Sequence, residues 1–439
     1  MGLYFGTDGL RGKVNEDLTF EIAYKVGNAL SILKDNPTIL IGSDTRISNT
    51  YLMLGVASGA MSGGAKVIDA GVVPTAGVAY LTRKLKADYG VVISASHNSG
   101  EYNGIKVFNG EGYKLGDKEE ERIERCFIHE KTNNFPDIGT FSQDLTLIKD
   151  YRDFLIGVCR RPLTGKTVVL DCAYGAAHRV APEVFRKLGA NVIAANAVYN
   201  GMKINEDCGA LHPENLVRRV FRYKADMGFA FDGDADRLIA VDEKGHIING
   251  DVIICSLAKY LKKQGKLKKN IAVGTSHTNM AIEDELKKEG IDLLRTDIGD
   301  KYVLAKMLEK DLSIGGEQSG HIILKDLATT GDGILTAIEI ANMLVEQNSK
   351  MSDEFNVELY PQSNLNVIVE DKFRIMNSEE LAKEIVKFNQ ELEGKGRLMI
   401  RASGTEPKIR IMVESKDREL NEKIAKSLAS LIKKINEEV

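Results

Sequence analysis

Residues 39–71, ILIGSDTRISNTYLMLGVASGAMSGGAKVIDAG, decide the fold. A short apolar strand, Ile39 to Asp44, leads through a loop into an amphipathic helical stretch ending in glycines, and a second apolar strand follows at KVIDAG. Strands joined by a helix in this way are predicted to lie parallel, because parallel pairing needs a long crossover. The same design recurs twice. TVVLDC (Thr167 to Cys172) runs through APEVFRKLGA to NVIAAN, and IAVGT (Ile271 to Thr275) runs through MAIEDELKKEG to DLLRTD. The prediction is three α/β domains with mixed, mainly parallel sheets.

The last ~75 residues follow another pattern. A strand at NVIVED, a helix at SEELAKEIVKFNQEL, strands around RLMIRAS and KIRIMVES and a charged terminal helix read as a smaller α+β domain. The expected segments are 1–145, 146–249, 250–361 and 362–439. A chain of 439 residues is too long for one core, so several cores are required. With 28% charged and 43% hydrophobic residues the chain is ordinary globular protein, not disordered.

A formal net charge of −4 offers no global basic field for nucleic acid, so an anionic ligand has to be met by local cations. The cysteines, Cys126, Cys159, Cys172, Cys208 and Cys255, form no CxxC pair and read as reduced thiols. No signal pattern opens the chain and no apolar run reaches the ~18 residues of a membrane span. Cytoplasmic residence is the expectation.

Four segments carry chemistry. Ile93-Ser94-Ala95-Ser96-His97-Asn98 follows the apolar strand Tyr89 to Ile93, at the strand end where parallel sheets gather ligands. Ser96 there is either a turn residue or a nucleophile and phosphate acceptor, with Lys106 following as a cation able to neutralise phosphate or move a proton. Asp232, Asp234 and Asp236 alternate with Gly233 and Ala235 beyond a second apolar strand. Such crowded carboxylates call for a cation, and oxygen ligands suit a hard divalent ion such as Mg²⁺. Arg237 beside them is placed for phosphoryl oxygens.

Two rivals compete for that segment. A calcium loop of the EF-hand kind fits Asp232, Asp234, Asp236 and Glu243, but needs glycine where Arg237 stands and helices where strands are predicted. A phosphatase with Asp232 as nucleophile fits the first two aspartates and leaves the third unexplained. The remaining segments are polar. Gly315 to His321, GGEQSGH, is either a loop or a reader of sugar hydroxyls. Arg401 to Pro407, RASGTEP, with Arg410, is either a hairpin turn or a phosphate grip.

Together with Phe5 to Gly12, FGTDGLRG, these segments in this order resemble the signature set of the α-D-phosphohexomutase superfamily. The resemblance spans nearly the whole chain and implies four domains around a central cleft. The serine loop, the Gly-Glu-Gln-Ser-Gly-His loop and Thr329-Thr330-Gly331-Asp332-Gly333 resemble the glucosamine-phosphate branch. That implies interconversion of glucosamine 6-phosphate and glucosamine 1-phosphate through a phosphoserine and a hexosamine 1,6-bisphosphate, with mannose or glucose phosphates as the alternative substrates.

By this resemblance Ser96 is the phosphoserine. Arg11, His97, Lys106 and His321 are the further catalytic candidates, with Lys106, His97 and His321 as alternatives for moving the proton. Mg²⁺ is held by Ser96, Asp232, Asp234 and Asp236. The substrate is held by Arg237, Glu317, Ser319, Arg401, Ser403, Gly404, Thr405 and Arg410. A homodimer is also implied. Three positions depart from the family pattern: Ser99 where proline is frequent, Ala235 where glycine is usual, and Ala402 at a variable place.

Overall fold

The computed structural model describes residues 5, 6, 8–128, 138–403 and 406–437. The chain forms a large unit, residues 1–278 and 286–356, and a smaller one, residues 279–285 and 357–439.

The large unit contains three mixed sheets. In the seven-stranded first sheet Thr38–Ser43 lies parallel to both Lys66–Val72 and Tyr89–Ile93, while Tyr102–Asn109 and Gly9–Lys13 continue it antiparallel. In the second, Thr167–Asp171 lies parallel to Asn191–Ala195 and Met227–Phe231, with Leu238–Asp242 antiparallel at the flank. In the third, Ile271–Thr275 lies parallel to Asp292–Thr296, and Ile314–Gly316 turns back as the hairpin strand Ile322–Leu324. The fold is therefore α/β, with all three predicted crossovers present. Met227–Phe231 is buried along its length, which is why its sequence is a continuous apolar run rather than an alternation.

The helix Asn49–Ser62 differs from the amphipathic stretch expected of it, because its outer side carries the exposed Tyr51 and Leu54. It lies so close to the helix Phe20–Leu33 that a Cβ on Gly59 would stand 1.9 Å from the Tyr24 carbonyl. The helix predicted from Ala181 begins at Ala177, with Pro182 inside it. A proline ordinarily marks a first turn, and this one drew the predicted start downstream.

Gly333–Gln347 is the most buried helix near the site, and Asp332 caps it by accepting from the Leu335 N–H at 2.9 Å. Asp332 also accepts the Tyr151 hydroxyl at 2.8 Å. Burial pushes its carboxyl up to about 6, against those two hydrogen bonds, while in the unfolded chain it titrates near 3.8. Between those values the folded state keeps a proton that the unfolded state has released. This group's contribution to stability therefore falls as pH rises through that window. Asp332→Asn keeps an acceptor for Leu335 and buries no charge. Relative to wild type it is expected to gain about 2 kcal/mol between pH 4 and pH 7, most of the full shift at 1.36 kcal/mol per pKa unit. Chemical denaturation of both proteins at the two pH values reads this difference, and parallel pH profiles would contradict it.

The small unit is α+β. Its antiparallel sheet places Lys408–Ser415 between Gln362–Ile368 and Gly396–Ala402. Helices Glu379–Glu391 and Arg418–Glu437 complete a core that includes Val367, Ile411, Val413, Leu428 and Ile432. Ser378 caps the first of these helices through the Leu381 N–H. The strand expected at NVIVED instead spans Gln362–Ile368. Its first residues are polar and carry no apolar signal, and cross-strand pairing with Val413 and Glu414 extends it. Among the described residues no helix is long and apolar enough to cross a membrane.

Candidate active site

Ser96 lies three residues beyond Tyr89–Ile93, fully buried, in the left-handed backbone region at φ 51°. Its N–H donates to Ser94 Oγ at 2.9 Å, and Ser94 Oγ donates to Asp44 Oδ2 at 2.6 Å. Its own hydroxyl donates to Asp232 Oδ2 at 2.5 Å and stands 3.5 Å from His97 Nδ1. The serine of one sheet and the aspartates of the next thus meet, although 136 residues separate them.

The aspartates follow Met227–Phe231 directly, on a turn that reverses at Ala235 with φ 59°. That conformation is why glycine suits the position: an alanine held there carries roughly 1 kcal/mol of strain. The turn is pinned from several elements. Thr75 N–H donates to the Asp234 carbonyl, Ala176 N–H to that of Gly233 and Gly333 N–H to that of Ala235. Thr75 Oγ1 also donates to Asp234 Oδ2 at 2.6 Å.

Asp232, Asp234 and Asp236 are buried and each offers an oxygen within 4.8 Å of the others. Asp234 Oδ1 and Asp236 Oδ1 have no hydrogen-bond partner. Buried carboxylate oxygens are costly when unsatisfied, so this donor set fits a hard divalent cation. Burial and the neighbouring Asp236 and Asp234 charges push the Asp232 carboxyl well above the usual range. Burial also opposes the Asp236 charge, but Lys106, His321 and Arg237 outweigh it and hold that carboxyl well below.

Lys106, on Tyr102–Asn109 beside the serine strand, is the buried cation of the site. Its Nζ lies 2.9 Å from Asp234 Oδ2, 3.1 Å from Asp236 Oδ2 and 3.2 Å from Asp8 Oδ2. Burial disfavours its charge, yet these three carboxylates raise its pKa well above the ordinary value. Lys106 is therefore a tightly held ammonium, suited to neutralising charge rather than to accepting a proton. His97 is the opposite. Burial, then Arg237 and Arg11, push it down to about 4, so its imidazole is neutral at pH 7.

Arg11 bonds Asp8 at 2.5 Å and Asn98 Oδ1 at 3.3 Å. Arg237 Nε lies 4.0 Å from Asp236 Oδ1 with no hydrogen bond of its own. His321 is buried, its Nε2 receiving the Gly331 N–H at 3.1 Å and its Nδ1 lying 3.6 Å from Asp236 Oδ2. Burial opposes a charged His321 ring, but Asp236 and Asp300 outweigh it and raise its pKa.

The loop Glu317 to His321 joins the two hairpin strands of the third sheet. Glu317 Oε1 accepts the Gly299 N–H at 3.0 Å, and Ser319 Oγ is buried without a partner. Burial pushes the Glu317 carboxyl up. Leu238 N–H bonds the Gly320 carbonyl and Gly250 N–H that of Gln318, tying this loop to the continuation of the aspartate turn. A Cβ on Gly250 would stand 2.0 Å from the Glu317 carbonyl, so glycine is required there.

In the small unit Arg401 and Arg410 face each other on paired strands, an arrangement that an anion would relieve. Burial and Arg410 lower the Arg401 pKa. Arg410 bonds Glu406 at 3.0 Å, while its Nε is buried without a partner. Ser403 Oγ accepts the Glu406 N–H at 3.3 Å. Gly404 and Thr405 lie outside the described residues.

Sequence reasoning missed Asp8, Lys114 and Asp300, which link into the same charged network. Burial opposes the Asp8 charge, but Lys106, Lys114 and Arg11 hold its carboxyl far below the usual range. Asp8 stands in the FGTDGLRG stretch beside its partner Arg11, but its bonds to Lys106 and Lys114, and that of Lys114 to Asp300, join residues distant along the chain, so local sequence does not mark the network.

Four family models cover most of the chain. Those described as phosphoglucomutase/phosphomannomutase alpha/beta/alpha domains I, II and III match residues 2–134, 149–245 and 249–360, and the C-terminal domain matches 365–431. A phosphoglucosamine mutase of Caldanaerobacter subterraneus is 47% identical over 444 residues, covering 99% of both chains. Another, of Carboxydothermus hydrogenoformans, is 46% identical and covers 99% of this chain and 100% of the relative. Two solved structures share the fold at 20% identity. A phosphoglucomutase/phosphomannomutase family protein from Burkholderia thailandensis has TM-score 0.82 over 97% of each chain. A phosphomannomutase-like structure from Thermus thermophilus has TM-score 0.78 over 98% of each.

Proposed function

Because the chain belongs to the phosphoglucomutase/phosphomannomutase family, we propose that it interconverts glucosamine 6-phosphate and glucosamine 1-phosphate through a phosphorylated Ser96. The observation that carries this reading is Ser96 Oγ bonded to Asp232 within a buried carboxylate trio, in a chain 47% identical over its length to a phosphoglucosamine mutase. Its place would be the cytoplasm and its ligand a small phosphosugar, with a homodimer as the assembly. Segments 1–145, 146–249, 250–361 and 362–439 would each bring one loop.

Asp232, Asp234 and Asp236, with a Ser96 phosphate oxygen, would hold Mg²⁺. Bound there, the ion would supply positive charge to the transferring phosphoryl group. The chain's own residues do the rest. The bond between phosphorus and Ser96 Oγ breaks as the sugar hydroxyl forms its own to phosphorus, and the hydroxyl proton passes by way of a base to the departing Ser96 Oγ. Neutral His97, 3.5 Å from Ser96 Oγ, can accept it, whereas Lys106 already holds its proton. Arg237 and Lys106 balance the negative charge on the moving group. The resulting hexosamine 1,6-bisphosphate turns end for end and returns its other phosphate to Ser96. Glu317 and Ser319 would read the sugar. Arg401, Ser403, Gly404, Thr405 and Arg410 would grip the phosphate that does not react.

The test is kcat/KM for glucosamine, glucose and mannose 6-phosphates, with inorganic phosphate release followed in parallel. A hydrogen bond made to one charged substituent is worth ~1.5–3 kcal/mol, so glucosamine phosphate is expected to lead by roughly 10- to 100-fold. Release to water is expected to be far slower than isomerisation. Preference for mannose or glucose would move the enzyme to the phosphomannomutase/phosphoglucomutase alternative, and release at the isomerisation rate would make it a phosphatase.

A further inference from the structure

Arg46 is an arginine with no exposed surface, placed between the strand Thr38–Ser43 and the helix Asn49–Ser62. A guanidinium has five N–H donors, and every one of them here has an acceptor. Nε bonds Asp44 Oδ2 at 2.9 Å. Nη1 bonds the carbonyls of Tyr102, at 2.8 Å, and Ser99. Nη2 bonds those of Asn98, at 2.6 Å, and Ser96, at 3.1 Å. From the second domain, Asn205 Nδ2 reaches the same Ser96 and Asn98 carbonyls at 2.8 and 2.9 Å.

These bonds close a ring around one residue. The Ser96 N–H reaches Ser94 Oγ, which reaches Asp44, which pairs with Arg46, which returns to the Ser96 carbonyl. Both sides of Ser96 are fixed in a left-handed conformation that a serine does not hold by preference. Neither Arg46 nor Asn205 reaches Ser96 Oγ, so neither does chemistry itself.

We propose that Arg46 and Asn205 form a carbonyl clamp that positions Ser96 for phosphoryl transfer, Arg46 acting from within the first domain and Asn205 from the second. The clamp sets the direction of Oγ toward Asp232 through the backbone alone. It rests on the reading of Ser96 as the phosphoserine. Asn205 makes the alignment depend on how the two domains meet, so the serine is aimed only when its aspartates are in place.

Arg46→Lys tests this with the charge opposite Asp44 retained, since an ammonium has three donors and cannot span four carbonyls. A small misplacement of a reacting atom costs on the order of 100-fold, so kcat is expected to fall by about that factor with KM within about 3-fold of wild type. Amide hydrogen exchange is expected to quicken in residues 94–102 only. Asn205→Ala is expected to lower kcat by about 10-fold. The double variant should lose less than the product of the single losses, because both donors serve the same carbonyls. Wild-type kcat in Arg46→Lys, a loss confined to KM, exchange quickened across the whole first sheet, or fully independent losses would each overturn the clamp. Should wild type itself show no isomerisation, the proposed function fails, and the exchange measurement still decides whether the clamp holds the loop.

Discussion

Ser96→Ala is expected to lower mutase turnover by at least about 10⁴-fold while leaving the protein folded, since removing a covalent nucleophile takes away the step that the other groups assist. The substitution is structurally mild. Alanine fits the space, meets the same backbone strain at φ 51° and keeps the main-chain bonds to Ser94, Arg46 and Asn205. What it loses is the bond to Asp232 Oδ2. Leaving that carboxylate one partner short costs about 1–3 kcal/mol, and its raised pKa lets a proton limit the loss. Circular dichroism should be unchanged, and intact mass should show no phosphate on the variant after incubation with a hexose 1,6-bisphosphate. A turnover near that of wild type would end the phosphoserine reading, whatever the fate of the sugar assignment.

The parts of the site legible in sequence are those where a strand ends. Ile93 and Phe231 close continuous apolar runs, and a loop leaving the C-terminal end of a buried parallel strand is placed at the ligand side by the sheet itself. That is why Ser96 and the aspartates were found, and why both loops sit where expected. Lys106 was visible only as a nearby cation. Its burial among Asp8, Asp234 and Asp236 depends on strand pairing between Val92 and Lys106, which no local pattern announces. Arg46 stood within the stretch that decided the fold and still gave no sign of its role. Apart from Asp44, its partners lie some fifty residues away, on carbonyls that every sequence possesses. Thr75 and Asn205 escaped for the same reason. The small unit shows the limit for strands: Gln362–Ile368 opens on polar residues, and its pairing with Glu414 and Val413 overrides their weak propensity.

Lys106→Met is expected to reduce kcat by about 10³-fold and to make stability depend on divalent metal far more than in wild type. In wild type one buried ammonium stands between Asp234, Asp236 and Asp8. Breaking such a cluster by removing its cation costs about 3–5 kcal/mol, because the acids remain buried without compensation. Two opposed shifts set the pH dependence. The Asp236 carboxyl is held below its unfolded value, so its contribution is present above pH 4 and lost as pH falls through its folded pKa. The Lys106 pKa is held above its unfolded value of 10.5, so its contribution is complete below that pH and lost as pH rises through its folded pKa. The deficit of the variant is thus largest near neutrality and narrows as pH falls from about 4 toward the lowered pKa of folded Asp236. A divalent cation offers the other remedy, since the trio's oxygens already converge and an ion bound only to the folded state stabilises by mass action. Thermal melts at pH 7 should show the variant well below wild type in EDTA and recovering much of the gap in millimolar Mg²⁺, with turnover still low because the charge beside the moving phosphate is missing. Equal melting temperatures with and without Mg²⁺, together with near-normal kcat, would mean that Lys106 neither balances the aspartates nor serves the transfer.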